Sequence, residues 1–217
     1  MSMPRQTTVD CGGCGVSQPF VIWDSVNVTL DGEQKVALLS GDLTRFTCKK
    51  CGWTGDVAYS LLYHDMEKSF MLWFVPGEGE PDTTKLPFGD LMGNYRLRLV
   101  RTRNQLVEKI FIFDANFDDR VVEFYKLGLL ANSVETGHAI LGELLFGKTC
   151  LDKDGSKAVR FEHVLESGTE GLVVLESSLN EIRDALVNIL PSATLENGKW
   201  LTVDQAYAQS LLEKMQP

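Results

Sequence analysis

Apolar stretches rich in β-branched and aromatic residues are separated by short polar or glycine-containing segments through the first third of the chain. This pattern is typical of short strands joined by turns. It predicts strands over residues 20–28, 44–47, 56–63 and 69–75, and residues 64–68 are the predicted hairpin turn between the last two.

A short helix is predicted between the first two of these strands. Val36 and Leu39 have helical spacing, and Asp31 with Gln34 matches a capping box, in which each side chain bonds the other residue's backbone N–H. Gly41 follows the last apolar position, where a glycine commonly ends a helix.

Residues 76–87 are dense in glycine, proline and acidic side chains, which predicts a linker or long loop over 76–94. Beyond it, the pattern predicts a strand over 95–100 and helices over 104–113 and 118–131.

The last third of the chain begins with a predicted hairpin. Strands over 144–151 and 157–164 flank the turn signal Asp154-Gly155, and residues 172–175 predict a third short strand.

Two helices complete the predicted elements. Ser178 and Glu181 match a capping box for a helix that Pro191 terminates. A strand over 200–203 and a terminal helix rich in alanine and leucine follow.

Composition and charge narrow the function classes. The chain carries 21 basic and 30 acidic side chains, a formal net charge of -9, which disfavours binding to phosphate backbones. Only residues 95–130 are net basic. We interpret the arginines there as a solvated strand edge or helix face, with a site for an acidic partner as the alternative. They are Arg96, Arg98, Arg101 and Arg103.

The longest apolar run has six residues, 70–75, far short of the about 20 that cross a bilayer. The first residues also lack the apolar stretch of a secretory signal. We therefore expect a cytoplasmic protein without membrane association, whose cysteines are thiols or metal ligands rather than disulfides.

Four of the five cysteines form two C-x-x-C-G units, which end at Gly15 and Gly52. Tetrahedral zinc needs two tight turns that each present two sulfurs, and a glycine after the second cysteine allows the chain to reverse. A redox dithiol, an iron–sulfur centre and free cysteines are the alternatives. The prediction is a closed, structural Zn²⁺ site formed by Cys11, Cys14, Cys48 and Cys51.

Cys14 and Cys48 are separated by 33 residues, which is longer than the roughly 15–20 residues of common paired-knuckle sites. A strand and a helix are therefore inserted between the knuckles, and each doubling of a loop costs only about 0.6 kcal/mol. The predicted fold is α+β, with a zinc-ribbon-like β-hairpin module at 1–75, an acidic linker or loop at 76–94 and an α+β region at 95–217.

The layout of the cysteines resembles the CpXC family, which is named for two Cys-Pro-x-Cys motifs. Gly12 and Lys49 stand where the family has proline, which changes the stiffness of the knuckles and not their ligands. The resemblance implies a zinc-binding module without an established biochemical activity. It covers residues 9 to about 75, including Leu62-Tyr63-His64-Asp65 and Lys68-x-Phe70, and extends to Lys126.

Three further positions are candidates for chemistry. Cys150 lies in a predicted strand, where a free cysteine commonly acts as a small apolar residue; a nucleophile with His138 or His163 as base is the alternative. We interpret His64, beside Asp65, as a surface-turn residue, with a ligand or a general base as the alternative.

The charged residues of the two middle helices recur at i+4 and i+7, and we interpret them as a solvent-facing side. A functional acidic cluster is the alternative. The set comprises Glu108, Lys109, Asp118, Asp119, Arg120, Glu123 and Lys126.

The sequence has no phosphate loop, nucleotide fingerprint, nucleophile elbow or H-E-x-x-H motif. We expect a zinc-stabilised protein that binds another protein and lean away from an enzyme, with the aromatic strand 70–74 as core or as contact surface. The alternatives are a thiol–disulfide redox protein that uses the C-x-x-C pairs and a nucleic-acid-binding zinc ribbon.

Overall fold

The computed structural model describes residues 2–78, 94–135, 140, 142–165, 168–190 and 198–215. Within these ranges the fold is mixed α+β, with eleven strands and five helices. The chain divides into two compact units. The first comprises Met1–Arg103 with Asn197–Trp200, and the second comprises Asn104–Glu196 with Leu201–Pro217.

The strands of the first unit form one large sheet and one small hairpin. The large sheet has the order β1-β2-β5-β6-β7-β11, and β3 pairs with β4 alone. Their bounds are β1 (Met3–Asp10), β2 (Ser17–Asn27), β3 (Arg45–Thr47), β4 (Thr54–Asp56), β5 (Leu61–Asp65), β6 (Phe70–Phe74), β7 (Arg96–Val100) and β11 (Trp200–Leu201).

The most apolar strands, β5 and β6, form an antiparallel hairpin in the middle of the large sheet. Tyr63 and Phe70 are fully buried there, with their rings stacked 5.7 Å apart. β2 runs parallel to β5 and β7 runs parallel to β6, so both flank the hairpin. The predicted hairpin is thus confirmed, while residues 79–93 of the predicted linker lie outside the described residues.

Two features of the first unit differ from the sequence prediction. The prediction of a single strand over 56–63 is wrong. These residues belong to two strands, because β4 pairs with β3 whereas β5 pairs with β2 and β6. β1 is not predicted, since few of its eight residues are apolar; its pairing with β2, from Asp10 opposite Ser17 onward, holds it as a strand.

Helix α1 (Gly32–Ser40) confirms the predicted helix but not its capping box. Asp31 forms no side-chain cap bond. Its carboxylate instead accepts hydrogen bonds from the Ser2 hydroxyl and, at 3.0 Å, from the Ser2 backbone N–H. The amino end of the chain, rather than the helix, therefore uses this carboxylate.

The end of α1 follows the prediction. Gly41 has φ 86°, and its N–H donates to the carbonyl of Leu38. The Arg103 guanidinium donates to the carbonyls of Leu38 and Leu39 at 3.1 and 2.9 Å, which satisfies two acceptors that the helix leaves open.

The second unit contains helices and a three-stranded antiparallel sheet of order β10-β9-β8. Both predicted middle helices, the predicted hairpin and the terminal helix are confirmed. The elements are α2 (Arg103–Asp114), α3 (Asp119–Glu135), β8 (Glu143–Leu151), β9 (Lys157–Leu165), β10 (Gly168–Leu175), α4 (Glu176–Leu186) and α5 (Gln205–Met215).

Helix α4 begins earlier than the sequence predicts. It starts at Glu176 and has no side-chain cap bond, so the capping box of Ser178 and Glu181 is wrong. The chain passes directly from β10 into this helix, which leaves no free turn for a cap. The predicted strand 172–175 is the second half of β10, and that over 200–203 is the two-residue β11.

Candidate metal centre

The two C-x-x-C-G units form turns with the same hydrogen bonds. The first knuckle, residues 11–15, joins β1 to β2, and the second knuckle, residues 48–52, joins β3 to β4. In the first, the Cys11 N–H donates to the Val16 carbonyl at 3.0 Å and the Gly15 N–H to the Cys11 carbonyl at 2.8 Å. The second knuckle repeats both bonds 37 residues later, at 2.8 and 2.9 Å.

One glycine in each knuckle reverses the chain. Gly15 has φ 67° and Gly52 has φ 74°, a conformation that a Cβ atom disfavours. The glycines therefore fulfil the role that the spacing predicts, and each knuckle presents two sulfurs in one direction.

The four thiols converge between the knuckles. The Sγ atoms of Cys11 and Cys51 are 3.6 Å apart, and those of Cys14 and Cys48 are 3.8 Å apart. All four Sγ atoms lie within 4.8 Å of one another. A tetrahedron with metal–sulfur bonds of about 2.3 Å has an edge of about 3.8 Å, whereas a disulfide bond is about 2.05 Å long. The thiols thus have the spacing of ligands around one ion.

The inner side of this cluster is apolar. Cys11 and Cys48, the first cysteine of each pair, are buried, while Cys14 and Cys51 are exposed. Phe46 is buried with the inner two, and its ring meets that of Phe20 edge-on at 6.0 Å. The cluster is therefore buried at Cys11 and Cys48 and open to solvent at Cys14 and Cys51.

Burial and hydrogen bonds shift the pKa values of Cys48 and Cys51 in opposite directions. Burial raises the pKa of Cys48, but the backbone N–H groups of Cys51 and Lys50 outweigh it and lower that pKa to about 6. The Trp53 backbone lowers the pKa of Cys51, but burial and the neighbouring thiols raise it to about 12 overall. With a pKa near 12, the Cys51 thiol would need a bound cation to be ionised near neutral pH.

The donor set thus fits a single metal ion. Among the described residues, no histidine or carboxylate joins the four cysteines as a further ligand. A four-sulfur set closes a tetrahedral coordination sphere without an open position.

Two contacts between the hairpins were not foreseen from the sequence. The Gln18 side chain on β2 reaches the second knuckle, where its Nε2 lies 3.1 Å from the Cys48 Sγ. The Trp53 indole, which follows the second knuckle, lies against Gly12 and Gly13 of the first. The glycine pair itself is the signal in the sequence, because adjacent glycines allow close approach.

The other candidate residues lie on different elements. His64 is half-buried on β5, with a ring nitrogen 3.3 Å from the Tyr95 hydroxyl, so its interpretation as a surface-turn residue is wrong. Cys150 is half-buried on β8. His163 pairs with Leu144, at the opposite end of the β8–β9 hairpin from Cys150. His138 lies outside the described residues.

Most of the charged set on and before α2 and α3 is buried, which corrects its interpretation as a solvent-facing side. The buried members are Glu108, Lys109, Asp119, Arg120 and Glu123. The Lys109 Nζ lies 2.9 Å from Glu123 and 3.4 Å from Asp119, and the Lys126 Nζ lies 2.8 Å from Glu108. The side chains of Lys109 and of the three carboxylates are each at most 4% exposed. They form a buried network rather than a surface.

The interpretation of the four arginines as solvated is wrong for two of them. Arg98 is 3% exposed and donates to the Leu97 carbonyl, and Arg103 caps α1 as described above. The aromatic strand 70–74 is core, since only Trp73 is half-buried and its ring lies 5.6 Å from that of Trp200. The contact-surface interpretation of that strand is therefore wrong.

Comparison with known protein families shows what the chain is similar to. A family model described as CpXC protein matches residues 9–126, more than half of the chain, and so spans both knuckles and the start of α3. No curated protein and no solved structure matches the chain. Among the described helices, none is both long and apolar enough to cross a membrane.

Proposed function

The chain belongs to the CpXC family, and from this premise we propose that its four clustered cysteines bind one Zn²⁺ ion with a structural role. The observation that supports the proposal most strongly is the sulfur spacing of 3.6 and 3.8 Å across the two knuckles. This spacing matches the edge of a zinc tetrathiolate, about 3.8 Å. The residues proposed as ligands are Cys11, Cys14, Cys48 and Cys51.

The structural role follows from where the ligands lie. β3 and β4 pair only with each other in the described sheets, and a two-stranded hairpin is marginally stable by itself. An ion shared by the two knuckles would fasten this hairpin to the one formed by β1 and β2. Zinc sites of this kind contribute about 10–16 kcal/mol of apparent binding free energy in small domains.

We further propose that the protein acts in the cytoplasm by binding another protein, without catalysis. A closed four-thiolate site leaves no coordination position for substrate, which supports a non-catalytic ion. The net charge of -9 argues against a nucleic-acid ribbon, since such binding relies on basic side chains.

Serine substitution of the cysteines tests the structural site. Cys11→Ser and Cys48→Ser should each lose the ion and lower the melting temperature, while Cys150→Ser serves as the matched control. Elemental analysis and thermal unfolding give the two readouts. Unchanged zinc content and melting temperature in the first two variants would refute the proposal.

A thiol–disulfide function is the second candidate, because a Cys48 pKa of about 6 favours a reactive thiolate. A reversible two-electron potential near that of the cytosol in zinc-free protein would support this candidate. The absence of redox cycling would remove it.

A further inference from the structure

Each of the two hairpins places one side chain on the knuckle of the other. Gln18 belongs to β2 in the first hairpin and contacts the second knuckle. Trp53 belongs to the second hairpin and contacts the first knuckle. The two contacts are reciprocal, and neither residue supplies a sulfur.

The Gln18 amide makes two hydrogen bonds to adjacent residues of the second knuckle. Its Oε1 accepts from the Lys49 backbone N–H at 3.1 Å, and its Nε2 lies 3.1 Å from the Cys48 Sγ. Because a backbone N–H only donates, the first bond fixes which end of the amide faces the sulfur. The amide N–H therefore donates to Cys48, as groups that orient metal ligands do.

The Trp53 ring fits against the first knuckle because glycines leave room for it. A Cβ atom on Gly12 would lie 2.9 Å from the Trp53 Cζ2, and one on Gly13 would lie 2.9 Å from its Cβ. A Cβ on Gly55 of β4 would lie 2.8 Å from Cζ2. The indole thus lies between the first knuckle and its own hairpin, and it is 41% exposed.

The two contacts differ although the knuckles match. With the offset of 37 residues, Gln18 corresponds to Gly55, and Trp53 corresponds to Val16. The second hairpin therefore has a glycine where the first has the amide, and the indole ring occupies that space. Each hairpin therefore contacts the other through a different kind of side chain, an amide in one direction and an indole ring in the other.

We propose that Gln18 and Trp53 are positioning residues of the metal centre, which hold the two knuckles at ligand spacing. This inference rests on the proposed zinc site. It also accounts for Gly12, which stands where the family name has proline, since any Cβ at that position meets the indole. Loss of either side chain should weaken zinc binding while leaving all four ligands in place.

The first experiment measures how fast zinc passes from the loaded full-length protein to an excess of a chromogenic chelator. Gln18→Leu removes both hydrogen bonds at similar size, and Trp53→Ala removes the ring. We expect each to release zinc about 10- to 100-fold faster than the unsubstituted protein, the usual effect of losing a group that orients a ligand. Arg5→Ala is the control, since it removes only the exposed Arg5–Asp24 ion pair of the same hairpin.

A double-mutant cycle tests the contact between Trp53 and the first knuckle. Gly12→Ala should speed zinc release, but should add nothing in the Trp53→Ala background, where no ring is displaced. Gly32→Ala is the matched glycine control, because a Cβ there meets nothing within 4 Å. Equal effects of Gly12→Ala in both backgrounds would contradict the contact.

Cobalt substitution gives a readout that a purely structural role would not change. In Gln18→Leu the Cys48 sulfur loses a hydrogen bond and becomes a stronger electron donor, so the sulfur-to-cobalt absorption band should move to lower energy. Trp53→Phe should keep the band and restore part of the zinc retention. An unmoved band in Gln18→Leu overturns the role of the amide.

The outcomes separate this inference from the zinc site itself. If the unsubstituted protein binds zinc through four thiols but the variants release it at the same rate, the positioning role is wrong and the zinc site stands. If the unsubstituted protein binds no zinc, both are wrong.

Discussion

At the scale of single residues, the convergence of the four cysteines depends on backbone conformation as much as on sulfur. Gly15 and Gly52 reverse the chain with positive φ, and a Cβ at either position would meet nothing within 4 Å. Glycine is therefore required at these positions for its backbone conformation and not for its small size, because space is available for a larger side chain. The spacing of cysteines and glycines carries this information, which is why the site could be predicted from sequence.

Gly52→Ala should destabilise the zinc-loaded protein by about 1–2 kcal/mol, since alanine resists the left-handed conformation. Gly52→Asn should cost less, because asparagine tolerates that conformation better. Gly32→Ala is the control, as it has free space and lies at the start of α1. Urea unfolding measures the change, and equal stability of the alanine variant at position 52 and the native protein would contradict the argument.

The lowered pKa of Cys48 predicts a pH effect in the metal-free protein. The thiol has a pKa of about 8.5 in the unfolded chain and about 6 in the folded protein. Its ionisation therefore stabilises the fold, and this contribution is complete at pH values above about 8.5. That contribution disappears as pH falls through 6. Thiolate absorbance should therefore show a first step near pH 6 that Cys48→Ser abolishes. A first step near pH 8.5 would disprove the prediction.

Gln18 and Trp53 mark the limit of prediction at this scale. Each acts on residues of the other hairpin, 30 or more positions away in sequence. Their role depends on how the two hairpins meet, which local spacing does not encode.

At the scale of elements, α2 and α3 are joined by charge rather than by apolar packing alone. Lys109 contacts Glu123 and Asp119, while Glu108 also accepts a hydrogen bond from the Phe146 N–H of β8 at 2.7 Å. Burial lowers the pKa of Lys109, but the surrounding carboxylates outweigh it and the pKa is raised. The lysine therefore stays charged inside the second unit.

Lys109→Met should destabilise the second unit by about 3–5 kcal/mol, because it removes the buried cation that contacts both Asp119 and Glu123. Arg183→Met removes an exposed ion pair with Asp184 and should change stability by at most about 1 kcal/mol. Urea unfolding followed by circular dichroism compares the two. Similar small effects would mean that the network contributes little.

The same network shows why helices are easier to predict from sequence than the burial of their charged side chains. Charges at i+4 and i+7 on a helix look alike whether they face solvent or one another. Only the pairing of α2 with α3, and the approach of Phe146, decides that Glu108 and Lys109 are buried. The helices themselves follow from local periodicity.

At the scale of the whole molecule, the chain folds as two compact units, and the knuckles belong to the first. The pairing of β7 with β6 in parallel was beyond sequence reasoning, because the connecting residues carry no periodic pattern. The predicted division at 76–94 stays a prediction. The α+β class is confirmed, since it needs only the kinds of element and not their pairing.

Removal of zinc should act on one region of the chain. Chelation should increase hydrogen exchange of the backbone amides in β1 to β4, since the proposed ion would fasten these two hairpins. The amides of β8 and β9, in the second unit, should keep their protection. Mass spectrometry of exchanged peptides separates the regions, and unchanged exchange in β1 to β4 would argue against a structural ion.

If four cysteines hold one zinc ion, the metal content of freshly purified protein and the reactivity of its thiols must change together. We expect one zinc per chain and four thiols that become reactive together when a chelator removes the ion, with Cys150 reacting independently. Protein without metal, whose C-x-x-C thiols are already reactive or reversibly oxidised, would contradict the claim.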